Sequence, residues 1–485
     1  MFLQRFGVLL AVSMLPSVNA ASVSPQPGGN WSGYVVTGAR NSVTDVWGSW
    51  IVPAATCSGS TASRALFWVG IDGYPASPTG TVEQIGTGVV CAAGTPEYYA
   101  WYEFKPNEST QKPIRRCPTG QTKQCITLTP GDTIWAKVST SGSGIFTVTI
   151  KDIKTGQTFG KTETVSTAQQ SSAEWIVEAP PPNLPPSAKP LANFGTVVFG
   201  EDNTGLPMTC SATINGQTNT IGNFPAASIV QLAMSNIEPG GGPANQTAAP
   251  SPLSSDGSSF VITAGIVSWW PADGNYDDVI SDYNGTPSSS GVSFAPGEVG
   301  QAFSLDGVSG EVDIPSSDAL SPSSITLDAW VNPSTLSAAA QCNFKSVVAK
   351  YDNSPSTVSW IFGMLGGGQL NFAVYGGPNI YQQIETNDPV LVAGVWQHVA
   401  ATFDSSTQAI HIYVNGVDEP STLQPGSSPV TSLQQYNGLE RIGATNASCG
   451  PSLTHWPGLI DEMSIYNRAL AAQEILAIYN ASKGS

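Results

Sequence analysis

The chain has 485 residues, 11% of them charged, with a formal net charge of −17. That length exceeds a single core and predicts two or more domains, while the scarcity of Lys and Arg excludes a nucleic-acid binder, whose phosphate contacts need basic clusters. No histidine precedes His398, so Ser-His-Asp, Cys-His and HExxH chemistry is excluded from any site built by the N-terminal region alone.

Taken in chain order, the first predicted element is a secretory signal peptide over residues 1–20. Arg5 precedes the apolar run Gly7-Val-Leu-Leu-Ala-Val-Ser-Met-Leu, and Val18-Asn-Ala20 supplies small residues for cleavage. No later stretch is apolar for the length a spanning helix needs, so a secreted, extracellular protein with no membrane span is expected, and a monomer. Short runs rich in β-branched and aromatic residues follow: Trp47–Val52, Ala65–Val69, Tyr98–Phe104, Thr133–Val138, Ile145–Ile150 and Val197–Phe199. Gly, Pro, Asn or Asp bound most of them, which predicts an antiparallel sandwich over residues 21–237.

Residues 238–262, rich in Pro, Gly and Ser, predict a flexible linker. A second strand-rich region, 263–485, contains Ile325–Val331, Val395–Phe403 and Ala409–Val414, and only Ala469–Tyr479 shows a helical stripe. From residue 265 onward there are 20 acidic and 5 basic residues, which leaves most of the negative charge there. The acidic balance suits a medium in which carboxylates are protonated and repulsion fades. Seven cysteines in an exported chain predict disulfides with one thiol left over. Cys117 with Cys125 is the first expected pair, and Cys342 with Cys449 the only pair open to the second region. The partners of Cys57, Cys91 and Cys210 stay open.

Seven motifs occur in one order: Asn30-Trp-Ser-Gly-Tyr34, Trp68-Val-Gly-Ile-Asp-Gly73, Glu83-Gln-Ile-Gly86, Ala100-Trp-Tyr-Glu103, Pro130-Gly-Asp132, Ala173-Glu-Trp-Ile-Val-Glu178 and Phe194-Gly-Thr-Val-Val-Phe199. Together they resemble the glutamic peptidases, the eqolisins, over about residues 28–235. The resemblance implies an all-β, concanavalin A-like sandwich whose concave face holds protein or peptide substrates, with a catalytic Gln–Glu pair falling on Gln84 and Glu174. It maps the substrate-binding residues onto Trp31, Trp68, Asp72, Trp101, Tyr102 and Glu103.

A carboxylate with an intrinsic pKa near ~4.3 can take a proton from water in mildly acidic medium. In that role Glu174 activates the water and later protonates the amine, while the Gln84 amide steadies the oxyanion, so neither a metal nor another cofactor is expected for catalysis. Glu174 and Glu178, four residues apart, share one face of a strand.

In the second region, Val267-Ser-Trp-Trp-Pro-Ala-Asp-Gly274, Phe294–Phe303, Leu305-Asp-Gly307, Trp396-Gln-His-Val-Ala, Tyr413-Val-Asn-Gly416 and Gly458–Leu470 resemble laminin-G-like, concanavalin-type lectin modules. The resemblance implies a second sandwich able to bind an extracellular polysaccharide, glycan or matrix polymer. It also implies a calcium option, for which Asp273, Asp306, Asp461 and Glu462 are the candidate ligands. His398, His411 and His455 read as structural. Two rival functions remain open: a sandwich glycosidase with Glu103 and Glu174 as its carboxylates, and a non-catalytic secreted adhesin.

Overall fold

The computed structural model describes residues 23–483 apart from 58–61, 76–79, 109, 180–189, 201–208, 236–246, 289, 337–343, 353–356 and 446–453. The expected signal peptide lies outside the described residues, as do Cys342 and Cys449. Among the described residues the elements are strands, short 3-10 turns and one α-helix, Ala472–Ser482, close to the predicted stripe.

Two sheets face each other in the N-terminal half. One carries, in spatial order, Gln26–Pro27, Ile229–Ala233, Trp31–Thr37, Ser172–Glu178, Ser63–Ile71, Val82–Ala92, Thr95–Lys105 and Lys112–Pro113. The other runs Thr158–Thr164, Ile145–Asp152, Thr133–Thr140, Val43–Ile51, Thr196–Phe199, Phe260–Ala264 and Ala248–Pro250. Alternation along each strand turns one set of side chains inward. Phe67, Val69, Ile71, Ile85, Val89, Phe104 and Trp175 from the first sheet meet Trp50, Ile134, Val138, Phe146, Val148 and Phe199 from the second. Each such side chain is worth about 1.5–3 kcal/mol when fully buried. Trp50 also donates to Thr87 Oγ1 at 3.0 Å, a polar stitch between the sheets.

The expected linker, 238–262, is not one over its described part. Ala248–Pro250 and Phe260–Ala264 pair antiparallel with each other, and the latter pairs with Thr196–Phe199. Phe260 stacks on Phe199 at 5.1 Å and meets Tyr34 edge-on at 4.8 Å. The alternating Phe260-Val-Ile-Thr-Ala264 therefore closes the first sandwich, and only Gly265 separates it from Ile266–Trp270, a strand of the second.

The second sandwich consists of one sheet ordered Val292–Pro296, Gln301–Asp306, Pro457–Tyr466, Ile325–Pro333, Gln397–Asp404, Ala409–Val414 and Val417–Asp418, with Ile266–Trp270 also paired to Pro457–Tyr466. Its partner sheet is centred on Lys345–Tyr351, Val358–Met364 and Leu370–Gly377. The α-helix packs at the joint between the sandwiches, where Ile475 and Ile478 join Ala249, Val261, Ile266 and Trp269 in one apolar cluster. Glu474 anchors this joint. It accepts from both terminal nitrogens of Arg468 at 2.7 and 2.8 Å and from Thr196 Oγ1 at 2.9 Å, while Arg468 Nε donates to Ala264 O at 3.0 Å.

Cys117 pairs with Cys125 as expected, Cys57 pairs with Cys91, and Cys210 is a buried thiol.

Candidate active site

Strand register assembles the site. Glu174 lies opposite Gly70, Gly70 opposite Gln84, and Gln84 opposite Glu103, so four residues from four adjacent strands form one row. Antiparallel partners point to the same side of a sheet. The row therefore lies on the outer face, away from the inter-sheet core. At ~4.8 Å per strand, Gln84 and Glu174 are about 10 Å apart at Cα, with only a glycine between them. Any side chain at Gly70 would intrude: a Cβ there would stand 3.1 Å from Glu174 Oε2 and 2.8 Å from the Trp68 ring.

The side chains of Glu174, Gln84 and Glu103, the three candidates in the row, are almost completely buried. Ser172 Oγ donates to Glu174 Oε1 at 2.6 Å, and Gln84 Nε2 donates to Glu103 Oε2 at 2.8 Å. Gln84 Oε1 and Glu174 Oε2 have no hydrogen-bond partner in the protein. Leaving a buried acceptor unsatisfied costs about 1–3 kcal/mol, so two of them on either side of a glycine gap mark a place built to receive donors.

Burial holds the Glu174 carboxyl well above the usual carboxylate range, and nearby Asp72 raises it further against the hydrogen bonds from Ser172 and the Tyr74 backbone. Burial likewise raises Glu103. Glu178, on the same face as Glu174, accepts from Trp68 Nε1 at 3.1 Å and Asn30 Nδ2 at 3.3 Å; burial and then Glu103 push it up to about 7.

The tryptophans divide by exposure. Trp31 is half-buried and meets Trp68 edge-on at 4.9 Å. Trp68 and Trp101 are fully buried in the apolar cluster of the same face, with Val35, Leu66, Ile176 and Leu232. They support the floor, and Trp31 is the indole that reaches its surface.

Two expected substrate-binding residues are turned elsewhere. Tyr102 alternates with Trp101 and Glu103, so it points to the opposite face, where it stacks on Phe159 at 5.3 Å. Asp72 is saturated internally: its carboxylate accepts from the backbone of Gln169, Gln170 and Ser171 at 2.6–2.8 Å and from Thr81 Oγ1 at 3.1 Å. It braces the approach to the Glu174 strand. The glycosidase pair fares poorly as well, since Glu103 and Glu174 stand three strands apart, about 14 Å at Cα, with Gln84 between them.

Sequence reasoning missed Ser172, the hydroxyl that orients Glu174, although it lies two residues away on the same face. It also missed Glu83. This carboxyl faces inward beside Ile85, neither of its oxygens has a partner, and burial, followed by Asp72 and Glu174, pushes it up to about 10.

The calcium candidates do not form a ligand set. Asp306 accepts from the backbone of Val308, Ser309 and Gly310, Asp461 from Val299 N, Glu462 from Trp269 Nε1 and Asp273 from Gln301 N. Among the described residues no group of three or more His, Cys, Asp or Glu could hold a metal ion. Each histidine faces one carboxylate: His398 faces Asp328, His411 faces Asp418 and His455 faces Glu311.

Residues 29–222 match the model of the Peptidase A4 family, and residues 306–476 that of the concanavalin A-like lectin/glucanases superfamily. Aspergillopepsin-2 of Aspergillus niger is 27% identical over 191 residues, covering 35% of this chain; the chain spans 62% of that relative's length. A scytalido-glutamic peptidase solved with a peptide-based transition-state analog is 22% identical, with a TM-score of 0.36, covering 49% of this chain and 98% of that one. Domain 4 of an extracellular GH43 arabinanase from Geobacillus stearothermophilus, solved with arabinotriose, is 19% identical, with a TM-score of 0.35, covering 44% of this chain and 98% of that one.

Proposed function

For a chain that carries a Peptidase A4 domain at residues 29–222 and a concanavalin A-like domain at residues 306–476, we propose a secreted endopeptidase in which Glu174 and Gln84 act on one water molecule. The observation that carries this reading is the pair of unpartnered buried oxygens, Gln84 Oε1 and Glu174 Oε2, in one row across Gly70. A water held between them donates one hydrogen bond to each.

The ionised Glu174 takes a proton from this water as its oxygen adds to the scissile carbonyl carbon. The carbonyl oxygen becomes an oxyanion, steadied by the N–H of Gln84 that Glu103 leaves free. When the intermediate collapses, Glu174 returns the proton to the departing nitrogen and the C–N bond breaks, giving an acid and an amine. Half-buried Trp31 offers the aromatic edge against which a substrate side chain packs.

Burial gives Glu174 a high proton affinity, so its carboxylate is a strong base. The acid limb of activity then lies above the ordinary carboxylate range, in mildly rather than strongly acidic medium. The second sandwich binds an extracellular glycan or matrix polymer and holds the peptidase near its substrate.

The test is hydrolysis of denatured protein, with chelator and pepstatin present, by wild type, Glu174→Gln and Gln84→Ala, each checked for folding. Loss of about 10³-fold in kcat is expected for Glu174→Gln and about 10²–10³-fold for Gln84→Ala. Full activity in a folded variant of either kind contradicts the reading.

A further inference from the structure

Resting on the reading above, we propose that Glu103 is a positioning residue that fixes which way round the Gln84 amide lies. The two ends of a side-chain amide are nearly equal in shape, and only hydrogen bonds tell them apart. Gln84 has one such bond to another side chain: Nε2 donates to Glu103 Oε2 at 2.8 Å, while Oε1 has no partner. An ionised carboxylate only accepts, so Glu103 draws the NH2 end toward its own strand and turns Oε1 toward Gly70 and Glu174.

That orientation serves both tasks of the amide. The carbonyl oxygen faces the water, and the second N–H stays free for the oxyanion. The reverse orientation presents no acceptor to the water.

The lock depends on charge. Lys105 on the same strand and Arg64 on the Ser63–Ile71 strand favour the carboxylate, whereas burial, Glu108 and Glu178 favour the neutral acid. Once protonated, Glu103 can donate to Oε1 as readily as it accepts from Nε2, and the two orientations approach parity. Acidification therefore relaxes the lock through Glu103 itself.

The experiment compares kcat, KM and pH–rate profiles of wild type, Glu103→Gln and Glu103→Leu, with Glu174→Gln alongside. Glu103→Gln keeps the size and an acceptor but can also donate at every pH. It is expected to lower kcat about 10-fold with KM within about twofold, and to remove one ionisation from the acid limb. Glu103→Leu removes the acceptor and is expected to lower kcat up to about 100-fold. If Glu103→Leu does not fold, Glu103→Gln decides alone. An unchanged kcat and profile in Glu103→Gln, or a change confined to KM, overturns the proposal. The underlying reading fails separately, by full activity in Glu174→Gln.

Discussion

In the second sandwich Glu440 is buried against Lys350 at 3.1 Å, Glu311 lies against His455 at 2.7 Å and Asp328 against His398 at 3.0 Å. In the first, Glu83, Glu103 and Glu174 are buried with no cation within ion-pair distance among the described residues. Both halves share an architecture, and both bury acids with no base opposite, Asp461 and Glu462 in the second among them; what separates the three paired acids from Glu83, Glu103 and Glu174 is the facing base. Where a lysine or histidine side chain faces it, the carboxyl is tied into the fold. Burial raises the proton affinity in both settings, pushing Glu440 up to about 8 even beside Lys350, but Glu83, Glu103 and Glu174 are raised with no facing base to offset it. The acidic composition of the second half is thus no guide to the candidate site, whose acids lie in the first.

The contrast breaks most visibly at Lys350. Lys350→Met leaves Glu440 buried without its partner and is expected to cost about 3–5 kcal/mol of stability, read by denaturant unfolding, with kcat per folded molecule unchanged. Next comes the glycine gap. Gly70→Val fills the space between Gln84 and Glu174, and kcat should fall about 100-fold, equivalent to ~2.7 kcal/mol.

Glu83 sharpens the comparison from the other side, because nothing compensates its burial. Glu83→Leu should raise stability by about 1–2 kcal/mol. Its folded pKa of about 10 lies above the unfolded value near ~4.3, so the native state loses stability progressively between these limits. The gain from the substitution should accordingly be larger at pH 8 than at pH 5. Glu178, raised to about 7, has the same sign: its contribution is complete below ~4.3 and lost as pH rises through 7. Wild type should therefore melt at a lower temperature at pH 8 than at pH 5, and Glu178→Gln should flatten that slope modestly.

Much of this site was legible in the sequence, because strand alternation is rigid. Once Glu174 lies on the outer face of its strand, Glu178 four residues on must share that face, whereas the pairing that brings Gln84 and Glu103 into the same row through Gly70 is a long-range register. The same rule excludes Tyr102, whose neighbours Trp101 and Glu103 already claim that face; the family pattern obscured a parity the residues themselves carried. Asp72 was not readable in this way. It lies just past a strand end with a left-handed backbone, φ 65°, and its ties run to a loop nearly a hundred residues away.

The linker expectation failed for a similar reason. Phe260-Val-Ile-Thr-Ala264 alternates like a strand, but its Pro-, Ser- and Gly-rich flank masks it, and its partner Thr196–Phe199 is distant in sequence. Local composition reports propensity. It does not report a long-range pairing.

The most direct measurement of the central claim is a double-mutant cycle on kcat with Gln84→Ala, Glu174→Gln and the combined variant, all confirmed to be folded. If the two side chains work on one shared water, the combined variant should be no slower than Glu174→Gln alone, because the unit is already broken. Losses that multiply, or either single variant retaining wild-type kcat, would contradict it.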